Sequence, residues 1–376
     1  MFYSKKSGTV LIFTLLILSV ILILTQQLVR SVLVGTTFDK TMIQKEQAQV
    51  LALSGINLAI AQLTEKQPVD KSSVQTAPTQ GIKADPNENT KRWLAKILPN
   101  LNRWQTFELK EDFDGIDGKV KICISSENGK ININNAFDFK KGEFKKDYDF
   151  LLKGLEIKGK LPAGQIYNKL SEFFKKRDRK FDDITEILNV SDLDVLNIFY
   201  EPPRDPMPKK RSQENTEISL QDLFTIWTEG EKIEPLFLSD SMCAVLNIRR
   251  PLADDADKLK DNFAKVVEAF KKDLGKNWDA SWDFLLPIYE KKPKFLDNIK
   301  NILSQEFGPK VYSVISCGIV GDVQSKLLAI LKLEKKTESK NKQENKTKPP
   351  QQTSANEKAV QETSKEQFKV IRIYWL

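Results

Sequence analysis

The feature that most constrains this chain is an uncharged apolar stretch near its beginning. Lys5 and Lys6 precede the stretch, and Arg30 is the next charged residue along the sequence. The 21 residues of 9–29 would form about 30 Å of helix, which is the thickness of the hydrocarbon core of a bilayer. The sequence therefore predicts a membrane-spanning helix, and the two lysines predict that its N-terminal end lies in the cytoplasm.

The pattern predicts that this helix continues beyond the membrane. No proline interrupts residues 39–67, and apolar side chains recur there at helical spacings until Pro68 ends the pattern. The residues after Leu24 lack the small-residue pattern at which secretory signals are cut. We therefore expect one helix over 9–66 that is retained, with its first half in lipid and its second half amphipathic.

Composition argues against several classes of function. The chain contains no histidine, which removes the commonest general base and zinc ligand and predicts a protein that is not an enzyme. Its net charge is +8, but both signs are interspersed, and no nucleic-acid-binding motif is present, so we expect no nucleic-acid partner. Cys123, Cys243 and Cys317 lie far apart without metal-ligand spacing, and the sequence leaves open whether two of them form a disulfide.

The beginning of the chain resembles the type IV pilins and the pseudopilins of type II secretion. The features that carry this resemblance are a short basic leader, a glycine and an apolar helix that continues as an amphipathic spine. The resemblance implies that a prepilin peptidase cuts between Gly8 and Thr9 and that the new N-terminus on Thr9 is methylated. It also implies a bacterial inner-membrane protein of single pass, with its N-terminus in the cytoplasm and its bulk in the periplasm. The alternative at this point is an uncleaved single-span anchor.

The residue at one position indicates which subgroup of this class the chain resembles. Most members of the class carry Glu as the fifth mature residue, whereas this chain has Phe13 there. The subgroup that lacks this Glu is the general secretion pathway protein K family, a minor pseudopilin at the pseudopilus tip. The segment 126–139, "SENGKININNAFDF", resembles a Gly-Lys-Ile-Asn segment of that family, and 229–248 resembles a degraded second copy of it.

The remaining sequence predicts the soluble region. The alternation of Val120, Ile122 and Ile124 with Lys121 and Cys123 predicts a strand near 119–125, paired with one near 104–110. Further strands are predicted near 311–320, 325–334 and 368–376. The Asn128–Gly129 dipeptide predicts a hairpin, and Asp183 with Glu186 has capping-box spacing. Residues 335–367 are almost devoid of apolar side chains, which predicts a disordered loop.

The expected fold class is α+β. A long N-terminal transmembrane helix packs on a small antiparallel pilin-like sheet, and a large, mostly α-helical domain is inserted in the sheet. The predicted divisions are a leader peptide (1–8), the transmembrane and spine helix (9–66), a linker with a short helix (67–102), the first part of the sheet (103–139), the inserted domain (140–305) and the last part of the sheet (306–376), which contains the loop 335–367.

The function implied by the resemblance is that of a minor pseudopilin at the tip of a type II secretion pseudopilus, helping to initiate or cap the filament that pushes substrates through the outer-membrane secretin. Its partners would be other minor pseudopilins, the major pseudopilin, the prepilin peptidase and secreted substrates. The alternatives are a minor pilin of a type IV pilus and a membrane-anchored extracytoplasmic hydrolase.

Metal binding is a weaker expectation. The acids of 112–118 lack the spacing of an EF-hand and favour a plain turn. The cluster of Asp254, Asp255 and Asp257 could hold calcium, although a solvated helix N-terminus explains it as well. No other cofactor is expected.

Overall fold

A computed structural model describes residues 7–64, 93, 97–155, 164–177, 179–190, 218–248, 261, 265–266, 278–289, 291–293, 296–304, 310–336 and 365–376. Its first element is a single helix, α1, which covers Ser7–Thr64. Proline is absent from this run, so the backbone hydrogen bonds of the helix continue without a break. The predicted continuation of the apolar helix beyond a bilayer thickness is confirmed up to Thr64.

Five strands form one antiparallel sheet in the order β1-β2-β7-β8-β9. In the pairing of β8 with β9, Lys336 lies opposite Lys365 and Leu327 lies opposite Trp375. A bulge interrupts the register between Ile330 and Leu331. The bounds of the five strands are β1 Trp104–Leu109, β2 Gly118–Ser126, β7 Val311–Val320, β8 Val323–Lys336 and β9 Lys365–Trp375.

The second half of α1 packs closely on one face of this sheet. A Cβ atom added to Gly318 of β7 would lie 2.0 Å from the carbonyl oxygen of Ala48 and 2.7 Å from the nitrogen of Ala52. On the helix side, a Cβ atom added to Gly55 would lie 2.1 Å from Oγ of Ser316. Small residues on both surfaces therefore let the helix backbone approach the sheet. The chain is an α+β protein in which a long N-terminal helix lies on an antiparallel sheet.

The described residues between β2 and β7 form short elements that contact the opposite face of the sheet. Ser313, Lys332, Arg372 and Tyr374, which alternate to that face, all contact side chains of this region. The elements are the strands β3 Ile131–Asn132, β4 Phe137–Asp138, β5 Glu143–Phe144 and β6 Phe224–Thr225, the helices α3 Ile133–Ala136, α4 Lys146–Lys153, α5 Gln165–Arg177, α6 Leu220–Leu223, α7 Asp240–Val245, α8 Trp278–Leu285 and α9 Leu296–Ile299, and 3₁₀ turns at Glu127–Gly129, Ile184–Asn189, Pro235–Phe237 and Lys300–Ile302. Outside this region, α2 Glu111–Asp114 lies in the β1–β2 turn, and a 3₁₀ turn covers Leu98–Asn100 before β1.

The bounds of the predicted loop 335–367 were wrong at both ends. β8 continues to Lys336, and β9 already begins at Lys365. The amino-acid composition did not reveal these strand ends, because backbone pairing between strands requires no apolar side chains. The rest of the predicted loop, 337–364, lies outside the described residues.

The hairpin predicted at Asn128–Gly129 was also wrong. These residues form a 3₁₀ turn, and the following strand β3 pairs in parallel with β6 rather than folding back on β2. A Cβ atom on Gly129 would lie 1.7 Å from the carbonyl oxygen of Phe237. A long-range backbone contact, rather than a local turn, therefore explains this glycine.

Candidate membrane anchor and assembly surface

The first half of α1 has no packing partner within the described chain. All of its side chains from Leu11 to Phe38 are exposed. The helix is long and apolar enough to cross a membrane by length and composition. Exposure around the whole circumference is expected where lipid or other proteins, rather than the chain's own core, surround a helix. The helix is therefore compatible with a single membrane span.

The predicted processing residues lie near the start of this helix. Gly8 and Thr9 belong to the helical backbone of α1. Phe13 follows one turn later, and its side chain is 66% exposed. The structure thus brings the three residues together at one end of the apolar half of α1. Cleavage and methylation remain predictions.

The Gly-Lys-Ile-Asn segment forms a buried polar cluster around the ion pair of Lys130 and Glu127. Lys130 Nζ lies 2.5 Å from Oε1 of Glu127, and the two side chains are only 4% and 3% exposed. The same ammonium group donates to the carbonyl oxygen of Gln221 at 3.3 Å and to Oγ of Ser313 at 3.5 Å. A buried charge pair needs such additional partners to offset its desolvation. The cluster joins the end of β2 to β7 and to α6.

The side chains of two asparagines extend this cluster. Asn132 accepts hydrogen bonds from the backbone N–H groups of Asn134 and Asn135 and so caps α3, while its amide donates to the carbonyl oxygen of Thr228 at 2.6 Å. The Asn134 side chain exchanges two hydrogen bonds with the backbone of Phe181, at 2.8 and 2.9 Å. These side chains therefore fix segments about 50 and 100 residues away, which is a structural role rather than a catalytic one.

The suspected second copy packs directly against the first. Ile233 forms a parallel bridge with Leu303, as Ile131 pairs in parallel with Phe224. The two copies are joined where the N–H of Glu234 donates to the carbonyl oxygen of Asn128 at 2.9 Å. Unlike the buried Lys130, Lys232 of the second copy is exposed. Both segments therefore pair in parallel with another segment, but only the first contains a buried ion pair, and the interpretation of 229–248 as a second copy remains a prediction.

A second polar anchor fixes the last strand. Tyr374 donates to Oδ2 of Asp183 at 2.8 Å, and Nη2 of Arg372 lies 3.1 Å from the same oxygen. Asp183 also caps the turn Ile184–Asn189 in the predicted capping box with Glu186. Partial burial favours the neutral acid, but hydrogen bonds from Thr185 and Tyr374 together with the charge of Arg372 outweigh it and lower the pKa of Asp183.

Sequence reasoning missed the partners in both clusters. The capping box is a local signal, but Arg372 lies 189 positions from Asp183, and nothing in the pattern of β9 points to that acid. The opposite charges of Glu127 and Lys130, three residues apart, were a signal that could have suggested an ion pair.

The metal candidates Asp254, Asp255 and Asp257 lie outside the described residues. Within the ranges that the structure describes, no group of three or more cysteine and carboxylate side chains is placed to hold a metal ion. The side chains of Cys123, Cys243 and Cys317 are buried, and none of the three is joined in a disulfide.

No protein-family model matches the chain, and no curated protein matches it significantly. Within the residues that the structure describes, the chain is an α+β protein with one candidate membrane-spanning helix near its N-terminus.

Proposed function

We propose that this protein is a minor pseudopilin of the general secretion pathway protein K type, a non-enzymatic subunit at the tip of a type II secretion pseudopilus. The observation that carries this proposal is the division of α1. Its apolar first half is exposed on all sides, and its second half is closely packed on an antiparallel sheet. A subunit that is stored in a membrane and later assembled through its helix requires this division.

The region between β2 and β7 supports the position at the tip. Neighbouring strands of the sheet are separated in sequence by residues 127–310, and we interpret the part over 140–305 as an inserted, mostly helical domain. Its described part is fixed to the sheet by two ion pairs, one between Glu229 and Lys332 and the other between Asp183 and Arg372. A bulky domain held this firmly would leave no room for another subunit above it.

Phe13 supports the same position. A subunit within the filament must accommodate the N-terminal amine of a neighbour in lipid, where an unpaired charge costs at least a few kcal/mol. An aromatic side chain offers that amine no carboxylate. A tip subunit needs no such carboxylate, because nothing is added above it.

Mass spectrometry of the mature N-terminus tests the proposal. We expect a chain that begins at N-methylated Thr9 when the matching prepilin peptidase is present. Gly8→Leu should block cleavage while membrane insertion continues, and Gly35→Leu provides a matched control in the same exposed helix. A wild-type chain that retains Met1 in the presence of the peptidase would contradict the proposal.

A further inference from the structure

The sheet has an open edge at β9. Among the described strands, β9 pairs only with β8 and ends the sheet. The N–H of Leu376 donates to the carbonyl oxygen of Lys326 in β8. Because backbone groups alternate in direction along a strand, the N–H groups of Ile373 and Trp375 point away from β8. The outer edge of β9 therefore presents backbone groups with which another strand could pair.

Apolar side chains line this edge on the face that carries α1. Ile373 lies opposite Ala329, and Trp375 lies opposite Leu327, both of which belong to the core under the helix. Ile373 and Trp375 are nevertheless 42% and 51% exposed. Strand partners share a face, so these two side chains project beside α1 without being covered by it.

The exposed flank of α1 extends the apolar surface. Gln62 contacts Gln105 of β1, which places its side of the helix toward β1. Leu53 precedes Gln62 by nine residues, which is about half a turn around the axis at 3.6 residues per turn. Leu53 is also exposed, and it therefore lies on the flank toward β8 and β9.

The charge of β9 indicates which kind of strand could pair with its outer edge. The strand carries Lys365, Lys369 and Arg372 against a single acid, Glu366. Lys369 and Arg372 remain more than half exposed in spite of their ion pairs with Glu334 and Asp183. Pairing β9 with β9 of a second copy would bring these cations together, which is unfavourable. An acidic segment would complement them.

We propose that the open edge of β9 binds an extended segment of a partner protein in which apolar and acidic residues alternate. The segment adds a strand to the sheet, and main-chain hydrogen bonds hold it there. Its apolar side chains lie against Ile373, Trp375 and Leu53, and its carboxylates lie on the other face beside Lys369 and Arg372. This binding does not depend on the assignment to secretion.

The test uses the full chain in lipid nanodiscs and fluorescent peptides about six residues long, the usual length of a strand. Three sets of peptides alternate valine or isoleucine with glutamate, lysine or serine. Fluorescence anisotropy should show that the glutamate set binds at least about tenfold more tightly than the lysine set.

Variants at Ile373 separate strand addition from simple apolar contact. Ile373→Pro removes an N–H that points away from β8, whereas Ile373→Ala keeps it and shortens the side chain. We expect the proline variant to bind the glutamate set about tenfold more weakly than the alanine variant. Phe113→Ala, at an exposed aromatic in the β1–β2 turn, should change nothing.

Three outcomes would overturn the proposal. They are the absence of binding by any set below about 1 mM, equal binding by the alanine and proline variants, and self-association of the wild-type chain that Ile373→Pro abolishes. The last result, seen by light scattering in mixed nanodiscs, would mean that a second copy occupies the edge.

Discussion

Gly318→Ala is expected to separate the spine helix from the sheet. The new methyl group would lie 2.0 Å from the carbonyl oxygen of Ala48 and 2.8 Å from Cβ of Leu51. Carbon and oxygen atoms need more than 3 Å, so the helix and β7 must move apart by about 1 Å. Both sides of the contact are backbone, and neither can turn away as a flexible side chain would.

The expected loss in the free energy of unfolding follows from this geometry. Overpacking a close-packed interior typically costs about 1–3 kcal/mol, and we expect a value near 3 kcal/mol because Gly318 faces helix backbone. Gly230→Ala is the matched control, since its Cβ would meet no atom closer than 3.9 Å. Its free energy of unfolding should change by less than about 0.5 kcal/mol.

Urea unfolding of the full chain in detergent, followed by tryptophan fluorescence, measures both variants. We expect a clear fall in the unfolding midpoint for Gly318→Ala and none for Gly230→Ala. Equal midpoints for the two variants would refute the close contact between α1 and β7.

Three further sets of changes test the polar anchors and strand β9. Asp183→Asn keeps a helix cap but removes the charge beside Arg372, and should cost about 1.5 kcal/mol at neutral pH. Since the folded-state pKa of Asp183 is lowered, this stabilisation is present above its unfolded pKa of about 3.9 and is lost as pH falls through the folded value. Urea midpoints of wild type and variant should therefore converge in acid, and a constant difference would contradict the role of the charge. Lys130→Met leaves Glu127 buried without its cation and should cost about 3–5 kcal/mol, whereas the double variant with Glu127→Gln should recover part of that loss in the same assay. Replacing 337–364 by Asn-Gly should change the free energy of unfolding by less than about 1 kcal/mol. Truncation after Lys336 should lower the free energy of unfolding by at least about 2 kcal/mol, because Phe368 leaves the core. Similar thermal midpoints for these two changes would contradict the pairing of β9.

Periodic signals explain which parts of the fold could be predicted. The spacing of apolar residues in the second half of α1 and the alternation of Val120, Ile122 and Ile124 in β2 follow from which faces are buried. The capping box at Asp183 was also predicted correctly, because its partner Glu186 is three residues away.

Features of the fold that depend on contacts between residues distant in the sequence could not be predicted. Asn128–Gly129 has the composition of a hairpin, but the backbone of Phe237 decides its conformation. The polar ends of β8 and β9 look like a loop because backbone pairing holds them without apolar side chains. At Asp183, the cap was visible in the sequence, while Arg372 and Tyr374 reached it only through the fold.

The position of the subunit in an assembled filament tests the central proposal most directly. Pseudopili would be prepared from cells that carry an epitope tag in 337–364, between β8 and β9, and labelled with immunogold. We expect gold at one end of each filament and nowhere along its length. Label distributed along the filaments would contradict the assignment to the tip.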